Sequence, residues 1–544
     1  MIRIILLGCL CVSGAIGQLA KPDACSPPPG SVPPSLPARL LEGQGTVNFP
    51  ITTRSPEAQA FFNQGVAQLH SFWVNEAERS FLQSAQLDPE APMPWWGIAM
   101  VAAGDYRPGF QLDFVNGGPP KPEPYPANPS GGLKRSIEAA RKALQLSEMP
   151  GKATELEKLY IAAAAARRDV KSTNPNGDYV EALRQIVRRY PGEVEARSFL
   201  ALQLMSGFTQ PDKKPRAGSL EAVEILRQLA KDAPEHPGVH HYIIHGWEGS
   251  DFARDAWPSC ERYGALAFNI PHGLHMPGHI YAQTGRWGDA AATFSKAAEN
   301  EVDWMQADSL NGNRHHGHNV HFLAMSYSFN GEYEKAIAAA RSLFQFKETP
   351  RELGEVDNFR TAWREGWRAT LRTLVQHERW DDIIEGMLLP SYDKPRERAW
   401  RHWALGLARC AKSQPKPARQ EYKLMENALA DYRKAVKKEP PPYLLVARDE
   451  LRAQIDLASG KLDKGLGGMQ KAAAAERRLR YNEPTSYPRP ILEVLGRYAL
   501  KHNRIELAEK AFREALDQYP ESAGAKRGLQ AAAQALKNAS VAGY

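Results

Sequence analysis

The feature that most restricts the fold of this chain is a pattern of small and aromatic residues that returns along its 544 positions. Small residues let two helices pack closely, aromatic residues fill the space between neighbouring helix pairs, and a proline ends the second helix. The four copies are Phe61, Gly65, Ala77, Phe81 and Pro89; Gly278, Tyr281, Ala290, Phe294 and Ala297; Tyr327, Gly331, Tyr333 and Ala336; and Leu492, Leu495, Gly496, Ala508, Phe512, Ala515 and Pro520. The pattern predicts a series of helical hairpins.

These spacings resemble those of the tetratricopeptide-repeat (TPR) superfamily. The resemblance implies an all-α fold, a TPR-type helical-hairpin solenoid or superhelix with a Pro/Gly-rich insertion. The expected segments are TPR-like hairpins at 46–103, an insertion loop at 104–132, degenerate hairpins at 133–235, histidine-rich hairpins at 236–350, further hairpins at 351–521, and a capping helix and tail at 522–544. Residues 46–53 suit a short strand, and Ser522 suits the N-cap of the last helix.

The first 17 residues have the pattern of a secretory signal peptide. An apolar run follows Arg3 and ends at the small residues Ala15 and Gly17, and it is too short to cross a bilayer. Cys9 lies too early in the run for a lipoprotein anchor. Residues 18–45 form a Pro-rich tether. We therefore expect an exported protein, periplasmic or extracellular, with no membrane span and no lipid anchor.

Charge and motif content exclude several functions. The net charge is only +7, from 69 basic and 62 acidic side chains, and no dense basic run with interleaved aromatic residues occurs, so no nucleic-acid partner is expected. Beyond the signal, Cys25, Cys260 and Cys410 are an odd, widely spaced set that predicts no disulfide framework. The HExxH, phosphate-loop and GxSxG motifs are absent. The sequence does not define the oligomeric state.

Histidines are concentrated in one part of the chain, where 11 of the 15 lie between His236 and His321. Their spacing places them in stripes along helices, because residues three, four and seven apart share a face. The three stripes are His241, His245 and Glu248; His272, His275 and His279; and His318 and His321. Three successive segments thus each offer possible metal ligands.

The hairpin register brings these stripes together. With Ala256, Ala290 and Ala336 as the small residue of each second helix, the first two segments lie 34 residues apart, and an insertion at 302–316 delays the third. First helices of neighbouring TPR hairpins stand side by side, about 8–10 Å apart, and line the concave groove. The stripes are therefore expected to converge there.

Converging neutral imidazoles suit a transition metal such as Zn, Cu or Fe. Glu248 would be a further ligand or a general base, and an open coordination position would permit catalysis, which the sequence leaves undecided. Two alternatives remain, namely ordinary polar residues on helix faces, and a non-catalytic scaffold whose groove binds a peptide or partner protein. His240, His315 and His316 lie off the stripes and would support the ligands or face solvent. The histidines expected to be isolated and structural are His70, His236, His377, His402 and His502.

Several stretches also resemble a set of exported bacterial TPR proteins, among them MPWWGIAM, HHYIIHGWE, HGLHMPGHIYAQTGRW, HNVHFLAM and YNEPTSYPRP. The most specific is HMPGHIY, which generic TPR proteins lack. The resemblance implies that one site is formed by His241, His245, Glu248, His272, His275, His279, His318 and His321. The chain departs from these proteins at Phe72-Trp73-Val74, where they often read FNH, and at 104–108, where they often have a GPN-like turn. The substrate side of the groove is therefore expected to differ.

Overall fold

The computed structural model of the protein describes residues 37–108, 130–307, 312–357, 360–479, 482 and 484–542. These residues are mostly helical and contain no β-strand. The predicted signal peptide, the tether up to residue 36 and most of the predicted insertion loop lie outside them. None of the described helices is long and apolar enough to cross a membrane.

The described chain up to the middle histidine stripe forms eleven helices, which follow one another in antiparallel pairs. Their bounds are α1 Pro56–His70, α2 Val74–Leu87, α3 Pro92–Val101, α4 Gly131–Ser147, α5 Glu155–Arg167, α6 Pro175–Arg189, α7 Val194–Leu204, α8 Ser219–Asp232, α9 Pro237–Trp247, α10 Trp257–Leu266 and α11 Pro271–Gln283. A short 3-10 turn at Ala253–Ala256 leads into α10.

The remaining described residues continue the series to the C-terminal helix. Their bounds are α12 Trp287–Ala307, α13 Asn313–Phe329, α14 Tyr333–Ser342, α15 Pro350–Gly354, α16 Ala362–Gln376, α17 Trp380–Glu385, α18 Pro395–Ala411, α19 Pro415–Val436, α20 Pro442–Ala458, α21 Leu462–Arg477, α22 Ile491–Lys501, α23 Ile505–Gln518 and α24 Ala523–Ala542.

Each helix packs mainly against its neighbours in sequence, so the chain builds a succession of hairpins. First helices of adjacent hairpins also touch, as α9 touches α11 and α13 touches α16. Nearest-neighbour packing of this kind defines a solenoid. The prediction of an all-α helical-hairpin solenoid is confirmed.

Close contacts between a glycine and a phenylalanine explain the repeated sequence pattern. A Cβ added to Gly278 would lie 2.5 Å from the ring of Phe294, and one added to Gly496 would lie 2.6 Å from the ring of Phe512. Gly65 packs against the ring of Phe81 in the same way. The glycine of each first helix is therefore needed because the aromatic ring of the second helix occupies the place of its side chain.

This packing predicts that Gly496→Ala destabilises the protein by about 1–3 kcal/mol, because the new methyl group overlaps a buried ring. Gly467 lies within α21 with nothing within 4 Å of an added Cβ, so Gly467→Ala is the matched control and should be neutral or mildly stabilising. Urea unfolding followed by helical circular dichroism measures both. Equal stability of the Gly496→Ala variant and the wild type would contradict the packing role.

The strand predicted at 46–53 is wrong. The backbone of this segment bonds side chains of α1 instead of another strand. The N–H of Ile51 donates to Oε1 of Gln59 (2.9 Å), and Nε2 of Gln59 donates to the carbonyl of Phe49 (2.9 Å). Long polar side chains on the adjacent helix satisfy the backbone groups that a sheet would otherwise pair.

Two other local predictions turn out differently in detail. Ser522 directly precedes α24, but its hydroxyl donates to Oε1 of Glu493 (2.5 Å).

Much of the insertion expected at 302–316 is helical, because α12 runs on to Ala307 and α13 begins at Asn313. Trp304, in the extended end of α12, packs edge-on against Trp73 with ring centroids 4.7 Å apart. The insertion therefore ties the first hairpin to the histidine-rich hairpins.

The C-terminal end of the array contacts its middle. Nε1 of Trp287 donates to the carbonyl of Pro520 (2.8 Å), and the ring of Phe329 stacks on Tyr519 at 5.0 Å. The carbonyl of Pro520 also lies beside Gly285, where an added Cβ would be 2.6 Å away. The last hairpins thus pack against the elements that carry the histidines.

Candidate metal centre

Three first helices of neighbouring hairpins, α9, α11 and α13, carry the histidine stripes. Pro237 and Pro271 occupy the first turns of α9 and α11, where an N–H would have no partner within the helix. Nδ1 of His236 accepts a hydrogen bond from the N–H of Val239 (3.3 Å) and so caps α9. Ala256, which the register places inside a second helix, instead ends the 3-10 turn before α10.

Between α9 and α11, three predicted ligands come together, and we call them histidine group A. The members are His241, His245 and His272, with one ring nitrogen of each within 4.8 Å of the others. Nδ1 of His241 donates to the carbonyl of His70 (2.5 Å), and Nδ1 of His245 donates to Oε2 of Glu248 (2.8 Å). In its neutral form, a ring that donates from Nδ1 has its lone pair on Nε2, as metal binding requires.

Between α11 and α13 lies histidine group B. Its members are His275, His279 and His318, again with ligand atoms within 4.8 Å of one another. Nδ1 of His275 donates to Oδ1 of Asn319 (3.0 Å), and Nδ1 of His279 faces Oε1 of Glu248 (3.1 Å). The Nε2 atoms of His275 and His279 lie 2.5 Å apart, so one ring donates a hydrogen bond to the other, and the tautomers decide which ring donates. The two rings thus bring the same nitrogen to one place, as two ligands of one ion do.

Glu248 lies between the two groups. It follows the last turn of α9, and its side chain is 2% exposed. One carboxylate oxygen accepts a hydrogen bond from His245 and the other faces His279, so a single residue orients one ring of each group. This geometry places Glu248 behind the imidazoles, on the side away from their Nε2 atoms.

Burial favours the neutral form of five of these imidazoles. Burial, followed by the charge of the neighbouring His315, lowers the pKa of His275 from its ordinary 6.5 to about 3. Burial, followed by nearby histidines, likewise lowers the pKa well below 6.5 for His241, His272, His279 and His318. Neutral imidazole is the form that binds metal ions.

Group A also contains buried ring nitrogens that protein atoms do not satisfy. Nε2 of His241 and Nε2 of His272 have no hydrogen-bond partner among the described residues. Such atoms are rare in folded proteins and are expected where a ligand completes a site. His272 and His318 are partly exposed, so the groups are open to the solvent. The donor set therefore fits a transition-metal ion.

The remaining predicted ligand, His321, is not brought into either group. Its Nδ1 donates to Oε2 of Glu365 (2.7 Å), and Nε of Arg372 donates to its Nε2 (3.2 Å). Burial lowers its pKa to about 4. The eight predicted residues thus form two adjacent groups and a carboxylate between them, with His321 apart. Groups A and B meet at His272 and His275, whose ring centroids are 6.0 Å apart.

The histidines off the stripes surround the groups as supporting residues. Nδ1 of both His315 and His316 is turned to the carboxylate of Glu301. The ring of His315 lies 5.6 Å from that of His272 and 5.2 Å from that of His275, so it borders both groups. Burial alone would raise the pKa of Glu301, but His315 and His316 outweigh it and lower the pKa to about 2.

A third cluster of possible ligands was not predicted from the sequence, because its histidines are far apart along the chain and were expected to be isolated. Nε2 of His70 donates to Oε2 of Glu195 (2.6 Å), and Nε2 of His236 donates to Oε1 of the same carboxylate (2.9 Å). The remaining nitrogens are also bonded, that of His70 to the hydroxyl of Tyr242 (2.9 Å) and that of His236 to the backbone. Protein hydrogen bonds account for every ring nitrogen, so this cluster fits a structural role.

Phe72 is a further site residue that the sequence did not single out. Its ring lies 4.6 Å from that of His241, 5.5 Å from that of His245 and 5.7 Å from that of His272. Its φ is +54°, which turns the chain sharply after α1. The sequence does carry an indication of this contact. At Phe72-Trp73-Val74 the chain differs from the FNH of the exported proteins it resembles, and this is the point where the first hairpin contacts group A.

No protein-family model matches the chain, and no curated protein matches it. Human IFIT1 with m7Gppp-AAAA is 11% identical over 89% of this chain and 91% of that chain, with a TM-score of 0.34. Yeast Tom70 is 12% identical over 88% and 96%, with a TM-score of 0.33. The TPR domain of P58(IPK) is 11% identical over 89% and 99%, with a TM-score of 0.22.

These three solved structures are remote from this chain in sequence. Their identities are too low to transfer a ligand, and their TM-scores are too low to support an argument about the arrangement of the hairpins. The packing within this chain is what defines its architecture. The described part of the chain is an all-α solenoid of helical hairpins.

Proposed function

We propose that the groove of this solenoid binds transition-metal ions through histidine groups A and B. The observation that carries the proposal is the convergence of three histidines in each group, whose ligand atoms lie within 4.8 Å of one another. In group A, oxygen acceptors bond Nδ1 of His241 and of His245, and the buried Nε2 of His241 has no partner among the described residues. A bound cation would satisfy this lone pair.

Three imidazole ligands in each group suit Zn²⁺, Cu²⁺ or Fe²⁺. Three protein ligands leave a coordination position open for water or a substrate, so the site would be capable of Lewis-acid catalysis. Glu248 would act as a positioning residue that fixes one ring in each group. Together with the export expected from the N-terminal sequence, this makes the protein a periplasmic or extracellular metal-binding protein.

Element analysis of untagged protein, purified without chelator, tests the proposal. We expect up to about two transition-metal ions per chain, and a rise in the melting temperature when Zn²⁺ is added back to metal-free protein. The alternative is a non-catalytic scaffold that binds a peptide or partner protein in the groove. Less than about 0.1 ion per chain, with no thermal shift from Zn²⁺ or Cu²⁺, would favour that alternative and contradict the metal proposal.

A further inference from the structure

The segment PTSYPRP, residues 484–490, connects α21 to α22 but is largely buried. It forms neither helix nor strand, and its residues Tyr487 and Arg489 are only 1% and 2% exposed. Connections between helices normally run over the surface, because a buried one carries backbone polar groups that water cannot reach. Other elements must therefore supply the partners of this segment.

Arg372 of α16 binds the backbone of the segment. Its Nη1 donates to the carbonyls of Tyr487 (3.1 Å) and Pro488 (3.4 Å). The same guanidinium group donates to the hydroxyl of Thr485 (3.1 Å) and to its carbonyl. Arg372 is 3% exposed, so one buried side chain satisfies backbone acceptors that a helix or strand would otherwise pair.

Glu450 of α20 and Trp403 of α18 bind the side chains of the segment. The buried carboxylate of Glu450 accepts a hydrogen bond from the hydroxyl of Tyr487 and another from Nη2 of Arg489 (2.7 Å). Nε1 of Trp403 donates to the same carboxylate (3.1 Å), and its ring lies edge-on to that of Tyr487 at 5.8 Å. The segment thus contacts three successive first helices, α16, α18 and α20.

These contacts have the form of peptide recognition. The first helices of neighbouring hairpins pack side by side here, as α18 does with α20, and solenoids use such extended faces to bind ligands. In the binding of extended peptides, main-chain hydrogen bonds commonly give affinity and side-chain pockets give specificity. Arg372 provides the main-chain bonds, and Glu450 with Trp403 provides the pocket.

We propose that the first helices α16, α18 and α20 form a peptide-binding surface whose occupant is the chain's own segment 484–490. The surface recognises a tyrosine and an arginine two positions apart, between prolines that reduce the backbone freedom lost on binding. Because the segment is joined to the surface through the chain, its effective concentration is on the order of millimolar, and it excludes external peptides. The proposal does not depend on metal binding by groups A and B. A partner protein that binds through an extended peptide would first have to displace the segment.

Binding of a fluorescently labelled synthetic peptide, PTSYPRP, tests this surface by fluorescence anisotropy. It is titrated with wild-type protein and with a variant in which residues 484–490 are replaced by an equal number of glycine and serine residues. We expect the replacement variant to bind the peptide at least about tenfold more tightly than the wild type, whose surface is occupied. A peptide with alanine in place of Tyr487 and Arg489 is the matched control and should bind the variant at least about tenfold more weakly.

A second variant, Arg489→Gln, tests the same surface with a smaller change to the fold. It weakens the internal segment while keeping an amide donor for Glu450, so it should bind the peptide more tightly than the wild type does. Arg513, on α23, bonds a surface glutamate and its side chain is 64% exposed, so Arg513→Gln controls for net charge.

Two results would overturn the proposal. One is failure of the folded replacement variant, checked by helical circular dichroism, to bind the peptide. The other is equal peptide binding by wild type and Arg489→Gln. The metal content should be the same in all variants, since the segment supplies no ligand atom to group A or B. Either proposal can therefore fail while the other stands.

Discussion

A variant with both His275→Ala and His279→Ala is expected to lose the metal ion of group B while keeping that of group A. Two of the three imidazoles of group B disappear, and His318 alone cannot hold an ion at micromolar concentration. Element analysis should therefore fall from about two ions per chain to about one. The added Zn²⁺ should also give a smaller thermal shift than in the wild type.

The reciprocal variant, His241→Ala with His245→Ala, should lose the ion of group A and keep that of group B. His502 is exposed and lies at the end of α22, so His502→Ala controls for removal of a histidine and should keep full metal content. If either double variant retained the wild-type metal content, the ion would be bound elsewhere. If either lost all metal, the two groups would act as a single site.

Glu195→Ala is expected to destabilise the protein by about 3–5 kcal/mol, the cost of breaking a buried charge-assisted cluster. The carboxylate is 3% exposed, and its removal leaves the ring N–H groups of His70 and His236 buried without an acceptor. Chemical unfolding followed by circular dichroism measures the loss. Metal content measured in the cold, where the variant stays folded, should match the wild type, because this cluster is assigned a structural role.

The pH dependence gives the same variant a second test. Burial alone would raise the pKa of Glu195, but the charges and hydrogen bonds of His236 and His70 outweigh it and hold the pKa well below the ordinary 4.5. A depressed carboxyl pKa contributes stability that is complete above the unfolded-state value and is lost as the pH falls. The difference in unfolding free energy between the wild type and Glu195→Ala should therefore become smaller below about pH 4.5.

A surface carboxylate provides the matched comparison. Glu181 is 57% exposed and bonds Arg188, so Glu181→Ala should change stability by no more than about 1 kcal/mol at any pH. A Glu195→Ala variant as stable as the Glu181→Ala variant would contradict the role assigned to the cluster. Loss of bound metal from folded Glu195→Ala protein would also contradict it.

The fold was predictable from the sequence wherever one residue has one packing partner in its own hairpin. Gly278 with Phe294 and Gly496 with Phe512 are such pairs, and the spacing alone reveals them. The prediction of a strand at 46–53 was wrong because alternating apolar residues suit a strand but do not reveal its partner. Its backbone partners are glutamine, asparagine and glutamate side chains from other segments, which no pattern within the segment indicates.

The site was predictable to the extent that it depends on helix periodicity. The stripes on α9, α11 and α13 identified every member of groups A and B. Contacts between distant segments were not predictable, which is why His70 and His236 seemed isolated although Glu195 joins them. His321 shows the same limit, because its partners Glu365 and Arg372 come from a later hairpin that the histidine pattern does not include.

The contact between Trp287 and Pro520 changes how the array responds to local unfolding. In an open solenoid, terminal repeats fray without affecting the centre, because stability is a sum over neighbouring pairs. Here the two bonded residues are 233 positions apart, so opening the last hairpins also removes support from α12. Packing of the C-terminal hairpins therefore stabilises α12 and the histidine-bearing helices that pack against it, although the two parts are far apart in the sequence.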